Sequence, residues 1–152
     1  MIKNKFCLVG IDGDFESLID ENKNQYLGYF SNYNLKKYLN SKKKLGKENL
    51  RDWLKIKKKF NPDIYIVIDE GEERESLTKK IFRKNVKNLI NKNSHIDQAV
   101  LKNLNKKKGI IIQKYSIISS NVKIEDGVKL HIGSQIHHDV VLGKYCTIAP
   151  SS

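Results

Sequence analysis

The residues of this chain best suited to chemistry are His137, His138 and Asp139, which stand together in the stretch Ile136-His137-His138-Asp139-Val140-Val141. A free imidazole titrates at about pH 6.5, so at neutral pH a histidine here can take a proton from an incoming amine or hydroxyl. A carboxylate beside it can raise its basicity or fix its tautomer. Surface turns also commonly contain histidine and aspartate, so spacing alone leaves an ordinary turn as the other reading. A second polar run, Asp69-Glu70-Gly71-Glu72-Glu73-Arg74, follows an apolar segment. If that segment is a strand of an open α/β sheet, the run lies where such sheets bind ligands. Its carboxylates equally suit the start of a helix. Cys7 and Cys146 read as structural, with no disulfide, metal or nucleophilic role.

The elements that must hold His138 announce themselves by a period of six. Ile112, Ile118, Ile124, Leu130, Ile136, Leu142 and Ile148 recur at that interval. Four positions after each comes a small or β-branched residue: Ser116, Val122, Val128, Ser134, Val140, Cys146 and Ser152. Six fits neither the helical repeat nor strand alternation, and it predicts a hexapeptide β-helix in which each row supplies one face and three rows one coil. The first residue of each row must point inward and the fifth occupies a corner, so the central positions can display polar side chains on an edge of the prism. Gly109, Gly127, Gly133 and Gly143 are expected at the turns between rows.

Residues 1–90 alternate strand-like and helix-like segments. Apolar stretches at Lys5 to Gly10, Tyr26 to Phe30 and Ile64 to Ile68 predict strands. Phe15 to Asn22, Leu50 to Phe60 and Glu72 to Lys84 predict helices, and Ser31 to Asn49 reads as irregular. Val86 to Ile90 reads as a last short strand. This alternation predicts a small Rossmann-like α/β domain over residues 1–90. A connector follows over 91–109, with room for one imperfect row from Ile96, and a short left-handed parallel β-helix over 110–152.

The composition narrows function. A chain of 152 residues, 39% of them hydrophobic, can bury one modest core or two small ones. No apolar run approaches the roughly 20 residues of a membrane span, and no signal peptide is legible, so a cytoplasmic location is expected. The formal charge of +12 comes mostly from lysine runs such as Lys42-Lys43-Lys44 and Lys106-Lys107-Lys108. These runs lack the interleaved aromatics of single-strand binders and the motifs of duplex readers, which argues against nucleic acid. They would equally attract phosphate-bearing substrates.

The stretch Gln135 to Pro150 resembles the central signature of the sugar acyltransferases of the sialic acid O-acetyltransferase and bacillosamine N-acetyltransferase group. The resemblance extends more weakly over the whole chain. It implies a hexapeptide-repeat acyltransferase that moves an acyl group, usually acetyl, from acetyl-CoA to an amino or hydroxyl group of a nucleotide-linked or sialic-acid-type sugar. It implies His138 as general base and Asp139 as the acidic residue orienting it. By the same resemblance Thr147 and Gly143 meet the coenzyme, Gly10, Asp12, Gly13 and Arg74 meet the sugar substrate, the assembly is a homotrimer with His138 facing the coenzyme across a subunit boundary, and no metal is required.

Three departures from the family pattern carry expectations of their own. The glycine-rich loop is Gly10-Ile11-Asp12-Gly13-Asp14-Phe15. Carboxylates there repel a diphosphate, so Asp12 is expected on a base or a sugar hydroxyl. Thr147 stands where relatives often place a histidine against the coenzyme. The sequence ends at Ser152, early in a third regular coil, while relatives continue for several more. A clipped product is therefore expected, lacking an oxyanion donor whose loss costs about 3 kcal/mol. The alternative from another class is a catalytically silent scaffold or binding module of the same family.

Overall fold

The computed structural model describes residues 2–10, 15–33 and 43–152. The chain splits into two compact units, Met1–Ile68 with Ser76–Val86, and Asp69–Glu75 with Lys87–Ser152.

The first unit is built on a parallel sheet of β1 (Phe6–Val9), β2 (Tyr26–Phe30), β3 (Lys44–Gly46) and β4 (Asp63–Ile66), in the order β3-β2-β1-β4. Strand β1 is apolar and buried at every position, as a central parallel strand has to be. Helices α1 (Glu16–Glu21) and α2 (Leu50–Phe60) belong to this unit. The Asn49 side chain caps α2 by accepting from the Asp52 amide at 2.9 Å, and Asn61 ends it in the left-handed conformation, φ 43°. Trp53 of α2 stacks edge-on to Phe82 at 5.3 Å, and Phe30 joins them to form the centre of the core.

Two sequence expectations change here. Strand β3 lies in the stretch read as irregular, because three residues among lysines carry no periodicity. The long helix expected over Glu72 to Lys84 is shorter: α3 (Gly71–Leu77) widens into a π-type turn at Thr78–Phe82 and a 3₁₀ turn at Arg83–Asn85, after which Val86 bridges to Ile64.

The second unit is a three-faced parallel β-helix. Its regular rows are β7 (Ile111–Ile112), β8 (Ile117–Ile118), β9 (Lys123–Ile124), β10 (Lys129–Leu130), β11 (Gln135–Ile136), β12 (Val141–Leu142) and β13 (Thr147–Ile148). Strands eighteen residues apart pair in parallel, giving β7-β10-β13, β8-β11 and β9-β12. The predicted inward aliphatics Ile112, Ile118, Ile124, Leu130, Ile136 and Leu142 are all buried in one cluster, and Ile148 packs against it.

The β-helix begins earlier than the sequence pattern does. β5 (Leu89–Ile90) pairs with β7 and β6 (His95–Ile96) with β8, so the stretch read as a connector is a first coil. Its third row is replaced by helix α4 (Gln98–Leu104), capped by Asp97, whose Val100 and Leu104 fill the place of the missing strand's aliphatic. Asn88 closes that coil, donating to the carbonyls of Leu104 and Lys107 and accepting from the Ile110 amide.

Each row ends in a corner with a left-handed residue: Gly109, Tyr115, Asn121, Gly127, Gly133, Asp139, Tyr145 and Ser151 all have positive φ. Gly143, expected at a turn, is absent from this series because it stands directly after an inward aliphatic. The Tyr145 ring lies over Gly127 one coil away, and a Cβ on Gly127 (φ 72°) would fall 2.1 Å from that ring, whereas one on Gly143 would meet nothing within 4 Å. Gly127→Ala is therefore expected to cost about 2 kcal/mol or more, from left-handed strain plus displacement of the ring, and Gly143→Ala less than about 0.5 kcal/mol. Urea unfolding of the two variants side by side checks this.

Candidate active site

His138 and Asp139 occupy the corner between β11 and β12. Asp139 adopts φ 65°, a conformation that short polar residues tolerate better than others with a Cβ. The backbone thereby turns its carboxyl back toward its neighbour. His138 Nδ1 lies 2.6 Å from Asp139 Oδ2, and Asp139 Oδ1 accepts from Asn121 Nδ2, one coil below. The two contacts, that of His138 first, hold the Asp139 carboxyl below the usual carboxylate range. An ionised carboxylate can only accept, so His138 donates through Nδ1 and keeps its lone pair on Nε2. Both side chains are exposed, His138 at 74%. The corner thus displays a histidine oriented to accept a proton.

The segment Asp69 to Glu75 lies against the rows of β10 and β13. Outward-pointing Lys129 is fully buried there. Lys129 Nζ reaches Asp69 Oδ1 at 2.5 Å, His131 Nε2 lies 3.0 Å from the same oxygen, and the Thr147 hydroxyl donates to the Asp69 carbonyl at 2.7 Å. Arg74 is 1% exposed. Its guanidinium donates to the carbonyls of Gly127 at 3.1 Å, Tyr145 at 2.6 Å and Cys146 at 3.1 Å, and also to that of Asp69. Burial lowers its pKa from the ordinary arginine range, and the carbonyl oxygens take the place of water around the charge.

The residues expected to bind ligand are thus dispersed. His138 and Asp139 are in contact with each other. Arg74, expected on the sugar, is instead a buried fastener of the Asp69–Glu75 segment, since its guanidinium is spent on main-chain oxygens. Thr147 shares its hydroxyl with that segment, and Gly143 presents a bare, exposed surface on the row after His138. Gly10 ends β1 with φ 76°, its amide donating to the Phe30 carbonyl at 2.9 Å. Asp12 and Gly13 lie outside the described residues. Sequence reasoning missed Asn121 and Lys129, and it read Asp69 only as one member of a polar run. The six-residue phase places Asn121 in the same corner column as Asp139 and could have found it.

An open cavity of about 610 Å³ is lined by Glu70, Glu72, Glu73, Glu75, Lys144 and Cys146 among others, without His138. Four carboxylates around it repel phosphate groups, so it does not suit the pyrophosphate of a nucleotide or coenzyme.

The Asp69 carboxyl is subject to opposed effects: burial raises its pKa, and Lys129 with His131 together outweigh that and leave it lowered. A depressed carboxyl contributes stability that is complete above its unfolded value of about 3.9 and is lost as pH falls through the lower folded value. Asp69→Asn is expected to lower the urea midpoint at pH 7, where Lys129 loses the Asp69 carboxylate, and to converge with the unsubstituted chain as the pH drops below the depressed folded value. Midpoints measured in steps of pH test this.

Residues 121–152 match the family described as bacterial transferase hexapeptide (six repeats). The fold is similar to that of the acetyltransferase domain of PglB from Neisseria gonorrhoeae in complex with acetyl coenzyme A. The TM-score is 0.74 and the identity 14%, over 98% of this chain and 72% of that one. It is also similar to GDP-perosamine N-acetyltransferase from Caulobacter crescentus, in a histidine-to-alanine mutant in complex with CoA and GDP-perosamine. There the TM-score is 0.76 and the identity 14%, over 98% of this chain and 70% of that one. PerB from the same organism, with the same two ligands, matches at 15% identity and a TM-score of 0.75, over 98% of this chain and 70% of that one. Residues 121–152 thus match hexapeptide repeats, and the chain shares with these acetyltransferase structures a fold that ends in a left-handed β-helix.

Proposed function

We propose that this protein transfers an acetyl group from acetyl-CoA to an amino or hydroxyl group of a nucleotide-linked or sialic-acid-type sugar, with His138 as general base. The observation that carries the reading is the 2.6 Å contact of His138 Nδ1 with Asp139, on a corner of a hexapeptide prism. Nε2 removes the proton from the acceptor as its nitrogen or oxygen attacks the thioester carbonyl, and the tetrahedral intermediate collapses to the acetylated sugar with departure of the CoA thiolate. Asp139 holds the tautomer and stabilises the imidazolium that forms.

Support for the donor comes from the three neighbours that hold CoA or acetyl-CoA, and for a nitrogen acceptor from the one described as an N-acetyltransferase with GDP-perosamine. Gly143 fits the passage of a coenzyme arm, since nothing stands within 4 Å of where its Cβ would be. Thr147 retains acceptor capacity on its hydroxyl for the same ligand. In this reading the N-terminal parallel sheet is Rossmann-like and receives the nucleotide at the C-terminal ends of its strands, near Gly10. A homotrimer brings a neighbouring copy to the rows where Ile117 and Val141 are exposed.

The test is release of free thiol from acetyl-CoA in the presence of UDP- and GDP-linked amino sugars and of free sialic acid. Transfer to one of them is expected, falling by about 10²- to 10⁴-fold in His138→Ala. Transfer that survives that substitution removes His138 from the mechanism. No transfer to any acceptor favours the silent-scaffold reading.

A further inference from the structure

We propose that Asn121 is the positioning residue of this site, locking the Asp139 carboxylate so that one of its oxygens is held for His138. The inference rests on the functional reading above for its kinetic consequences but not for its geometry.

Asn121 and Asp139 are eighteen residues apart and stack in the same corner column of the β-helix, both with left-handed backbones, φ 56° and 65°. The coil repeat therefore dictates their proximity. Asn121 Nδ2 donates to Asp139 Oδ1, and His138 Nδ1 takes Oδ2. The polarity has one solution, because an ionised carboxylate only accepts and the amide nitrogen only donates. Asp139 is 63% exposed, so without a second anchor its carboxylate would turn freely between water and the imidazole. With one oxygen pinned from the coil below, the other stays in the plane that fixes the Nδ1–H tautomer and leaves Nε2 basic. Among the described corner residues this column alone stacks a donor on an acceptor. The others place Gly127 under Tyr145 and Gly133 under Ser151. His138 is the one titratable group acting on Asp139 among the described residues.

Two substitutions respect the left-handed backbone. Asn121→Gly removes the amide at a position where glycine is unstrained, and Asn121→Asp keeps size and turn preference while replacing the donor with a second carboxylate. The first readout, carbon NMR titration of the Asp139 carboxyl in the full chain, does not depend on activity. Its pKa is expected to rise in Asn121→Gly and further in Asn121→Asp, where two carboxylates share the column. The second readout is the pH profile of acetyl transfer. In Asn121→Gly, kcat is expected to fall about tenfold, part of what a general base supplies, with KM for acetyl-CoA within about twofold and the acid limb displaced to lower pH, because a carboxylate free to turn away stabilises the imidazolium less. An Asp139 titration that coincides in the unsubstituted chain and both variants overturns the proposal. So does an unchanged acid limb in variants of an enzyme that His138→Ala inactivates. Activity that survives His138→Ala overturns the functional reading instead, and the NMR titration then still decides the role of Asn121.

Discussion

Everything at the candidate site follows from the pairing of each row with the row eighteen residues on. Once parallel backbone hydrogen bonds such as Lys129 N to Cys146 O and Lys123 N to Val140 O fix that offset, each corner must stack on the corner below. Each corner must also reverse the chain with a left-handed residue. Those two demands select the residue types. Where a bulky ring occupies the upper corner, as at Tyr145, the lower one has to be glycine. In the column of Asn121 and Asp139 short polar side chains that tolerate positive φ serve instead, while Tyr115 and Tyr145 adopt it with a ring. A carboxylate placed for backbone reasons thus stands beside a histidine, on an element as rigid as the ladder of aliphatics behind it.

The same offset explains how charge is managed on the face bearing Lys129. An outward lysine on a face that becomes covered cannot remain hydrated, and an isolated buried ammonium is costly. Asp69 meets it from the covering segment, and Arg74 secures that segment to oxygens of two stacked corners, Gly127 and Tyr145. A guanidinium suits this use because its donors fan out in one plane and can reach carbonyls on successive coils together, which an ammonium on a single stem cannot.

The sequence disclosed the β-helix because its signal is redundant: seven aliphatics at one phase all have to point inward. That His138 and Asp139 share one corner was legible from the same phase, while their roles rested on the family resemblance. Helix α4 was not, because it breaks the six-residue phase to supply Val100 and Leu104 to the same core, and β3 was not, because an edge strand of three residues has no period. Gly143 was grouped with the left-handed corner glycines on residue type alone, whereas it only opens the turn to Cys146 and lacks the phase that Gly109, Gly127 and Gly133 share. The role of Arg74 lay beyond reach for another reason. An arginine opening a helix after a strand looks the same in sequence whether its guanidinium meets a ligand or main-chain carbonyls from a distant coil, and tertiary packing alone distinguishes them.

The corner carrying His138 also separates the β8-β11 face from the β9-β12 face, where Ile117 and Val141 stand exposed at 44% and 64%. In the proposed reaction this juxtaposition has a use. A base as open to water as His138 gains little from its carboxylate, because water screens the pair and competes for the proton. Transfer from a thioester further requires that water be kept from the acyl carbon. The apolar side chains flanking the corner supply the surface on which a second copy of the chain, together with bound coenzyme, can exclude that water. The hydrogen bonds from Asn121 and His138 then act at a lower local dielectric, where the orientation of one carboxylate oxygen has its largest effect on the proton at Nε2.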